Sequence, residues 1–279
     1  MNPALRWTLF FVSACVAPAC GTDASPTAEA PNVAPTAEAP NVAPTAEAPN
    51  EAPPEALPPR AWLEELDAAG PLVKLGELRL PAGQRGHLAA DACTEVFVRV
   101  VEGALEGYDP SATLFASAPF EVRAATDSRV VVAAVRPEEL PFGAECTRVE
   151  TTDLVALSAP EVLPFAGGKL RVRIFADAAS GARFGAFSSL DGDADLPVPP
   201  HVHEGSVESL RIVEGDGAML QGEDESPIAP GRVLYVPPNV RHGYTPGSTK
   251  LVAYQVYAPG GPEQRFRTPP TPPAFAPRP

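Results

Sequence analysis

Histidine is scarce in this chain. Among 279 residues there are four, His87, His201, His203 and His242, and three of them fall in one window of 42 residues. Basic residues are few as well, 21 Lys and Arg against 35 Asp and Glu, for a net charge of −14. A chain this acidic repels phosphate backbones and anionic lipid surfaces, which argues against nucleic acid as a partner. Long apolar runs are missing. The stretch from Trp7 to Ala14 is too short to cross a bilayer as a stop-transfer helix. Proline is the opposite case: 36 residues, concentrated near the two ends.

Residues 1–20 read as a signal peptide of the lipoprotein type. Arg6 supplies the positive start, an apolar stretch follows, and small residues precede cysteine. Two cysteines compete for the lipid. Val12-Ser13-Ala14-Cys15 fits the lipobox better three residues before the cysteine, whereas Ala17-Pro18-Ala19-Cys20 gives the more usual length and a polar mature start. Cys20 is favoured as the lipidation site, and the alternative to both is a plain secretory signal cleaved near Ala19. The expected location is therefore outside the cytoplasm, on a bacterial membrane facing periplasm or cell surface, with membrane contact only through the anchor.

Residues 21–59 form a Pro/Ala/Glu-rich linker. The nine residues Pro26–Ala34 recur from Pro35 and again from Pro44. With no aromatic residue and only isolated valines, the repeat cannot bury enough apolar surface to offset chain entropy, so disorder or extended polyproline is expected. Residues 268–279 form a Pro-rich tail.

Between these ends the text changes. Residues 60–69 suggest a short helix with Trp62, Leu63 and Leu66 on one face, stopped by Gly70-Pro71. From Leu72 onward short β-branched runs alternate with Gly, Pro, Asp and Ser clusters. Examples are Val73–Leu80, Val96–Val101, Val130–Val135, Leu170–Ala176, Leu210–Val213, Val233–Val236 and Leu251–Tyr257. This pattern predicts an all-β barrel or sandwich. Two segment pairs repeat in order: Arg99–Gly103 with Arg211–Gly215, 112 residues apart, and Ala118–Val122 with Ala229–Val233, 111 apart. An internal duplication follows, with units at 60–158 and 159–267.

The chemistry concentrates at residues 199–208. In an extended segment, residues i and i+2 point to the same side, so His201 and His203 can aim two imidazoles at one point. Pro199-Pro200 stiffens the approach, and a turn at Glu204-Gly205-Ser206 lets Glu208 face the same interior. His242 follows a second strand and a Pro237-Pro238-Asn239 turn. Three imidazoles and one carboxylate suit one divalent transition metal (Mn, Fe, Zn, Ni or Cu) rather than Ca or Mg.

These residues carry a resemblance. His-x-His-x4-Glu-x6-Gly, ending at Gly215, resembles the first cupin motif. Gly231-x5-Pro237-x-Asn239-x2-His242 resembles the second, with Asn239 where that family usually has Gly. Residues 259–266 resemble a tail seen in small bacterial cupins. The resemblance implies a double-stranded β-helix, a cupin or jelly-roll barrel, over residues 160–266, with His201, His203, Glu208 and His242 as metal ligands. The first unit, aligned on its Val-Glu-Gly, carries Ala89, Asp91 and Val96 at ligand positions, with His87 and Glu95 out of register, and so resembles a degenerate cupin. The expected architecture is two tandem barrels, the first packed against the second.

Cys93 and Cys146 lie in the first unit. A bridge between them would close a loop of about 54 residues and contribute about 4 kcal/mol; two separate thiols are the alternative. For function, the resemblance implies an exported metal-dependent enzyme with dioxygenase, oxalate-type or isomerase chemistry on a small polar molecule. The alternative is a tethered module that binds a small ligand or the metal without turnover. Glu204 is a candidate base, and Tyr235, Tyr244 and Gln255 are candidate pocket residues.

Overall fold

The computed structural model describes residues 58–88, 94–117, 119–136 and 155–268. The leader with Cys15 and Cys20, the linker through residue 57, Cys93, Cys146 and the tail beyond residue 268 lie outside the described residues, as do Ala89 and Asp91.

The fold is all-β. The first barrel holds β1 (Arg60–Ala61), β2 (Val73–Leu80), β3 (Arg85–Leu88), β4 (Glu95–Glu102), β5 (Thr113–Ala116), β6 (Phe120–Arg123), β7 (Ser128–Val135) and β8 (Val155–Leu157). The second holds β9 (Leu163–Phe165), β10 (Leu170–Ala176), β11 (Ala186–Gly192), β12 (Val198–His201), β13 (Val207–Glu214), β14 (Gly217–Gln221), β15 (Asp224–Pro227), β16 (Val233–Val236), β17 (His242–Pro246) and β18 (Leu251–Ala258). In each barrel a large sheet faces a small one. The first pairs β2-β7-β4-β5-β8 with β1-β3-β6; the second pairs β16-β13-β18-β11-β10-β9 with β12-β17-β14-β15.

The expected helix over 60–69 shrinks to Trp62–Glu65. No side chain caps it, and Leu66 is already extended. The backbone of residues 67–69 turns instead to β2, with Ala69 N donating to Val73 O and Leu75 N to Asp67 O. Sheet pairing satisfies those groups better than another helical turn without a cap. Trp62 and Leu66 still bury themselves in the first barrel.

The two barrels share their strand registers. Glu95 faces Val135 and Glu102 faces Arg129, just as Val207 faces Ala258 and Glu214 faces Val252. The ladder slips between Val100 and Glu102 in one barrel and between Ile212 and Glu214 in the other. This shared bulge explains the repeated Val-Glu-Gly: the extra residue bends the strand, and Gly103 and Gly215 leave it at positive φ, where a side chain would be strained. The second sequence match does not mark equivalent strands. Residues 229–233 lead into β16, which pairs with β13, and its counterpart is β5 on β4; β6 pairs with β3 in the small sheet.

Three cores result from strict alternation along the central strands. Val96, Val98 and Val100 of β4 and Val130, Val132 and Ala134 of β7 fill the first barrel. The opposite faces of the same strands, with Phe97, Val131, Ala133 and Val135, pack on Phe175, Phe187, Val256 and Ala258 of the second. Strands buried on both faces read as continuous apolar runs. Phe97 stacks on Phe115 and Phe187 with ring centroids 5.4 and 5.8 Å apart. The buried Glu95 carboxylate accepts backbone N–H groups from Arg183, Phe184 and Gly185 across this seam, and Ser209 donates back to Ala69 O. The first barrel thus covers the outer sheet of the second. The third core, with Leu210, Ile212, Met219 and Ala253, lies inside the second barrel.

Candidate metal centre

His201 ends β12, His242 opens β17, and the ladder places them directly opposite each other. His203 follows on the loop, and Glu208 is the second residue of β13. The intervening turn uses Gly205 at positive φ. Asn239, also at positive φ, donates its backbone N–H to His203 O at 3.0 Å, tying the two loops together. Asn is the residue after Gly that best tolerates this conformation, so it can stand where the resemblance expects Gly.

The four side chains that the sequence singles out are brought together. One potential ligand atom from each lies within 4.8 Å of all the others. The imidazole centroids are 4.3 to 4.9 Å apart. Glu208 Oε2 sits 2.8 Å from His242 Nε2 and 3.3 Å from His203 Nε2. Two rings have their outer nitrogen committed: His201 Nδ1 lies 2.9 Å from Pro199 O, and His242 Nδ1 lies 2.8 Å from Val240 O. Donation to these carbonyls fixes the tautomer that leaves Nε2 as a lone pair pointing inward. Both Nε2 atoms are buried; His201 Nε2 has no hydrogen-bond partner, and His242 Nε2 meets only the Glu208 carboxylate. Buried lone pairs converging on a carboxylate are costly unless a cation joins them. The donor set therefore fits one transition-metal ion.

Electrostatics agree with the geometry. Burial alone would raise the Glu208 carboxyl, but His203 and His242 override it and hold the group below the usual carboxylate range. Burial lowers His201 to about 4, which keeps that imidazole neutral and available as a donor. At His242 burial pulls down, but the Glu208 carboxylate more than offsets it, and the net shift is upward.

Around this cluster lies a second ring of polar groups. Gln255 Nε2 donates to Glu208 Oε1, and Ser188 donates to Gln255 Oε1 at 3.1 Å. Arg265 donates to the Tyr257 hydroxyl at 3.0 Å and lies within 3.3 Å of both ring nitrogens of His203. Tyr257 is fully buried, and desolvation raises its phenol well above the ordinary value. Tyr257 and Arg265 escape a reading of the sequence. The first sits in an apolar strand and the second in the 259–266 tail, whose resemblance was the one hint. Of the expected pocket residues, Tyr244 and Gln255 line the cavity below the cluster, whereas Tyr235 packs in the seam between barrels. Glu204 is exposed and off the cavity wall.

Residues 193–257 match the cupin domain family. This cupin domain contains all four clustered side chains and stops short of Arg265. No curated protein sequence matches the chain. Among solved structures, oxalate decarboxylase from Bacillus subtilis, which has Mn(II) centres, superposes with a TM-score of 0.51 at 13% identity, over 67% of this chain and 68% of that one. An IolB-like protein from Salmonella typhimurium gives a TM-score of 0.53 at 14% identity, over 68% of this chain and 84% of its own. Both likenesses speak for the cupin fold.

In the first barrel the same lattice positions are closed. Leu88 ends β3 opposite Phe120 as His201 ends β12 opposite His242, one residue before the aligned Ala89, and Val96 stands on β4 where Glu208 stands on β13. Leu88 and Val96 are fully buried in the first core. His87 points outward, and Glu95 faces the seam. Among the described residues, the first barrel holds no matching group of donors.

Proposed function

We propose that the protein binds one divalent transition metal through His201, His203, Glu208 and His242 and uses it on a small molecule. The observation that carries this reading is the convergence of four donor atoms within 4.8 Å, with the His201 and His242 rings each held by a carbonyl so that Nε2 turns inward beside one carboxylate. The ion would supply Lewis-acid or redox chemistry. The chain's own groups do the rest. Gln255 and Tyr257 hold Glu208 in place, Arg265 offers a fixed positive charge, and the barrel wall excludes water.

Among the described residues, no carboxylate but Glu208 lines the cavity. A dedicated carboxylate base is therefore missing from the wall, which favours either chemistry that needs none or a non-catalytic binding module. Metal analysis of purified protein, followed by oxygen-uptake assays with catechol-like, diketone and oxalate substrates, distinguishes them. His203→Ala removes the high-affinity ion, and with it the stabilisation of about 2.7 kcal/mol that a hundredfold excess of free metal over Kd gives the native protein. Unchanged metal stoichiometry in that variant refutes the ligand set.

The proposal extends to location. A lipid on Cys20 and the Pro/Ala-rich linker would hold the two barrels off a bacterial membrane. Fatty-acid labelling should vanish in Cys20→Ser and persist in Cys15→Ser; the reverse pattern moves the anchor to Cys15.

A further inference from the structure

The space beneath the cluster has a composition the metal reading does not require. A cavity of about 330 Å³ fills the middle of the second barrel. Its polarity changes along β13 and β18. On β13, Glu208 gives way two and four residues on to Leu210 and Ile212. On β18, Gln255 gives way to Ala253 and Leu251, and on β11 the wall is Leu190, with Ser188 behind Gln255. Because alternate residues of a strand share a face, β13 and β18 each present a polar group at the cluster and aliphatic groups further in. Met219, Ile228 and Leu234 close the far wall. Among the described residues, the equivalent interior of the first barrel is a cluster of packed side chains, so an open apolar interior is not dictated by the fold.

Arg265 stands at the polar end of the same cavity. Its guanidinium lies over the Phe266 ring, 4.6 Å from the centroid, and donates to Tyr257. Among the described residues no carboxylate lies within ion-pair distance of it. A guanidinium held between rings and turned toward a cavity is a natural receptor for an anionic oxygen pair.

Resting on the metal-binding reading above, we infer that the ligand of this site is an amphipathic monocarboxylate. Its head lies between the metal cluster and Arg265, and an apolar body of roughly six to eight carbons lies among Leu210, Ile212, Met219 and Ile228. At ~30 Å³ per water-sized group the cavity holds on the order of ten non-hydrogen atoms, which matches this length. A small dianion such as oxalate would leave the aliphatic floor uncovered.

Titration calorimetry on the full metal-loaded protein tests the inference with acetate, butanoate, hexanoate, octanoate, oxalate and 1-octanol. Affinity should rise about fourfold per methylene up to eight carbons. Octanoate should bind at least tenfold more tightly than oxalate or 1-octanol. Met219→Trp, or Ile228→Phe should the first variant fail to fold, should weaken octanoate at least tenfold while leaving acetate affinity and metal content unchanged. Arg265→Gln should erase the preference of octanoate over 1-octanol. A flat series, or oxalate equal to octanoate, overturns the inference while stoichiometric metal leaves the metal reading standing. Absence of bound metal sinks that reading, and the methylene series on the same sample still decides this one.

Discussion

The two barrels share one ladder and differ in what they enclose. Where His201 ends β12 opposite His242, Leu88 ends β3 opposite Phe120, and Val96 stands on β4 where Glu208 stands on β13. The backbone is indifferent to the exchange, because strand pairing is set by main-chain groups and by the alternation of faces, not by the identity of one inward side chain. The difference lies in cost. A buried imidazole cluster has lone pairs to satisfy, whereas an aliphatic one has none. The first barrel has a tight core and covers its neighbour, and the second has a cavity with a polar end.

The sharpest way to break the comparison is to put charge into the closed barrel. Val96→Glu places a carboxylate at a fully buried site among aliphatic side chains and should cost about 5 kcal/mol or more, seen as loss of the urea unfolding transition. Adding Leu88→His and Phe120→His should restore part of that loss in the presence of Zn or Ni, if the registers correspond. No recovery with metal would show that the two interiors differ in more than their side chains.

A somewhat smaller effect is expected at the seam. Phe97→Ala removes a ring that stacks on both barrels and should cost about 3–5 kcal/mol. Calorimetry should show one transition moved down for the whole molecule. Two transitions, one of them unmoved, would mean that the barrels melt independently.

The smallest effect concerns one turn that the barrels pin differently. In the second, the exposed Asp216 carboxylate accepts the N–H and hydroxyl of both Ser248 and Thr249, which holds its pKa below the usual 3.8. In the first, neutral hydroxyls of Thr126 and Ser128 hold Ala104. A depressed carboxyl stabilises above its unfolded pKa, and that stability is lost as pH falls through the folded value. The Tm gap between the native protein and Asp216→Asn should therefore be widest at neutral pH and close as pH falls below about 4. A gap that does not change with pH would assign the turn's stability to shape rather than charge.

Much of this was legible in the amino-acid text, for reasons that differ by element. Val73–Leu80, Leu170–Ala176 and Val233–Val236 were read with the bounds they have, because β-branched runs end at Gly, Pro or Asp. β5, β11 and β14 escaped: Thr113–Ala116 is only four residues, Ala186–Gly192 carries two serines and an aspartate, and Gly217–Gln221 opens on glycine. Pairing with neighbours, not propensity, makes them strands. The clustered histidines stood out because the chain has so few. The cavity did not, since Leu210, Ile212 and Met219 spell a core whether or not the space between them is filled. Arg265 was hidden for a related reason: its approach to His203 depends on how the 262–266 segment folds back, held where Asp177 receives Gln264 and Arg267.

The aromatic seam also sets what can be cut away. Anyone wishing to work with the cupin domain alone would expose Phe175, Phe187 and Tyr254 on one flat face. Such a fragment would recruit a twin to cover that slab or fall out of solution, so a minimal version needs that face repainted with polar residues before its metal can be studied by itself.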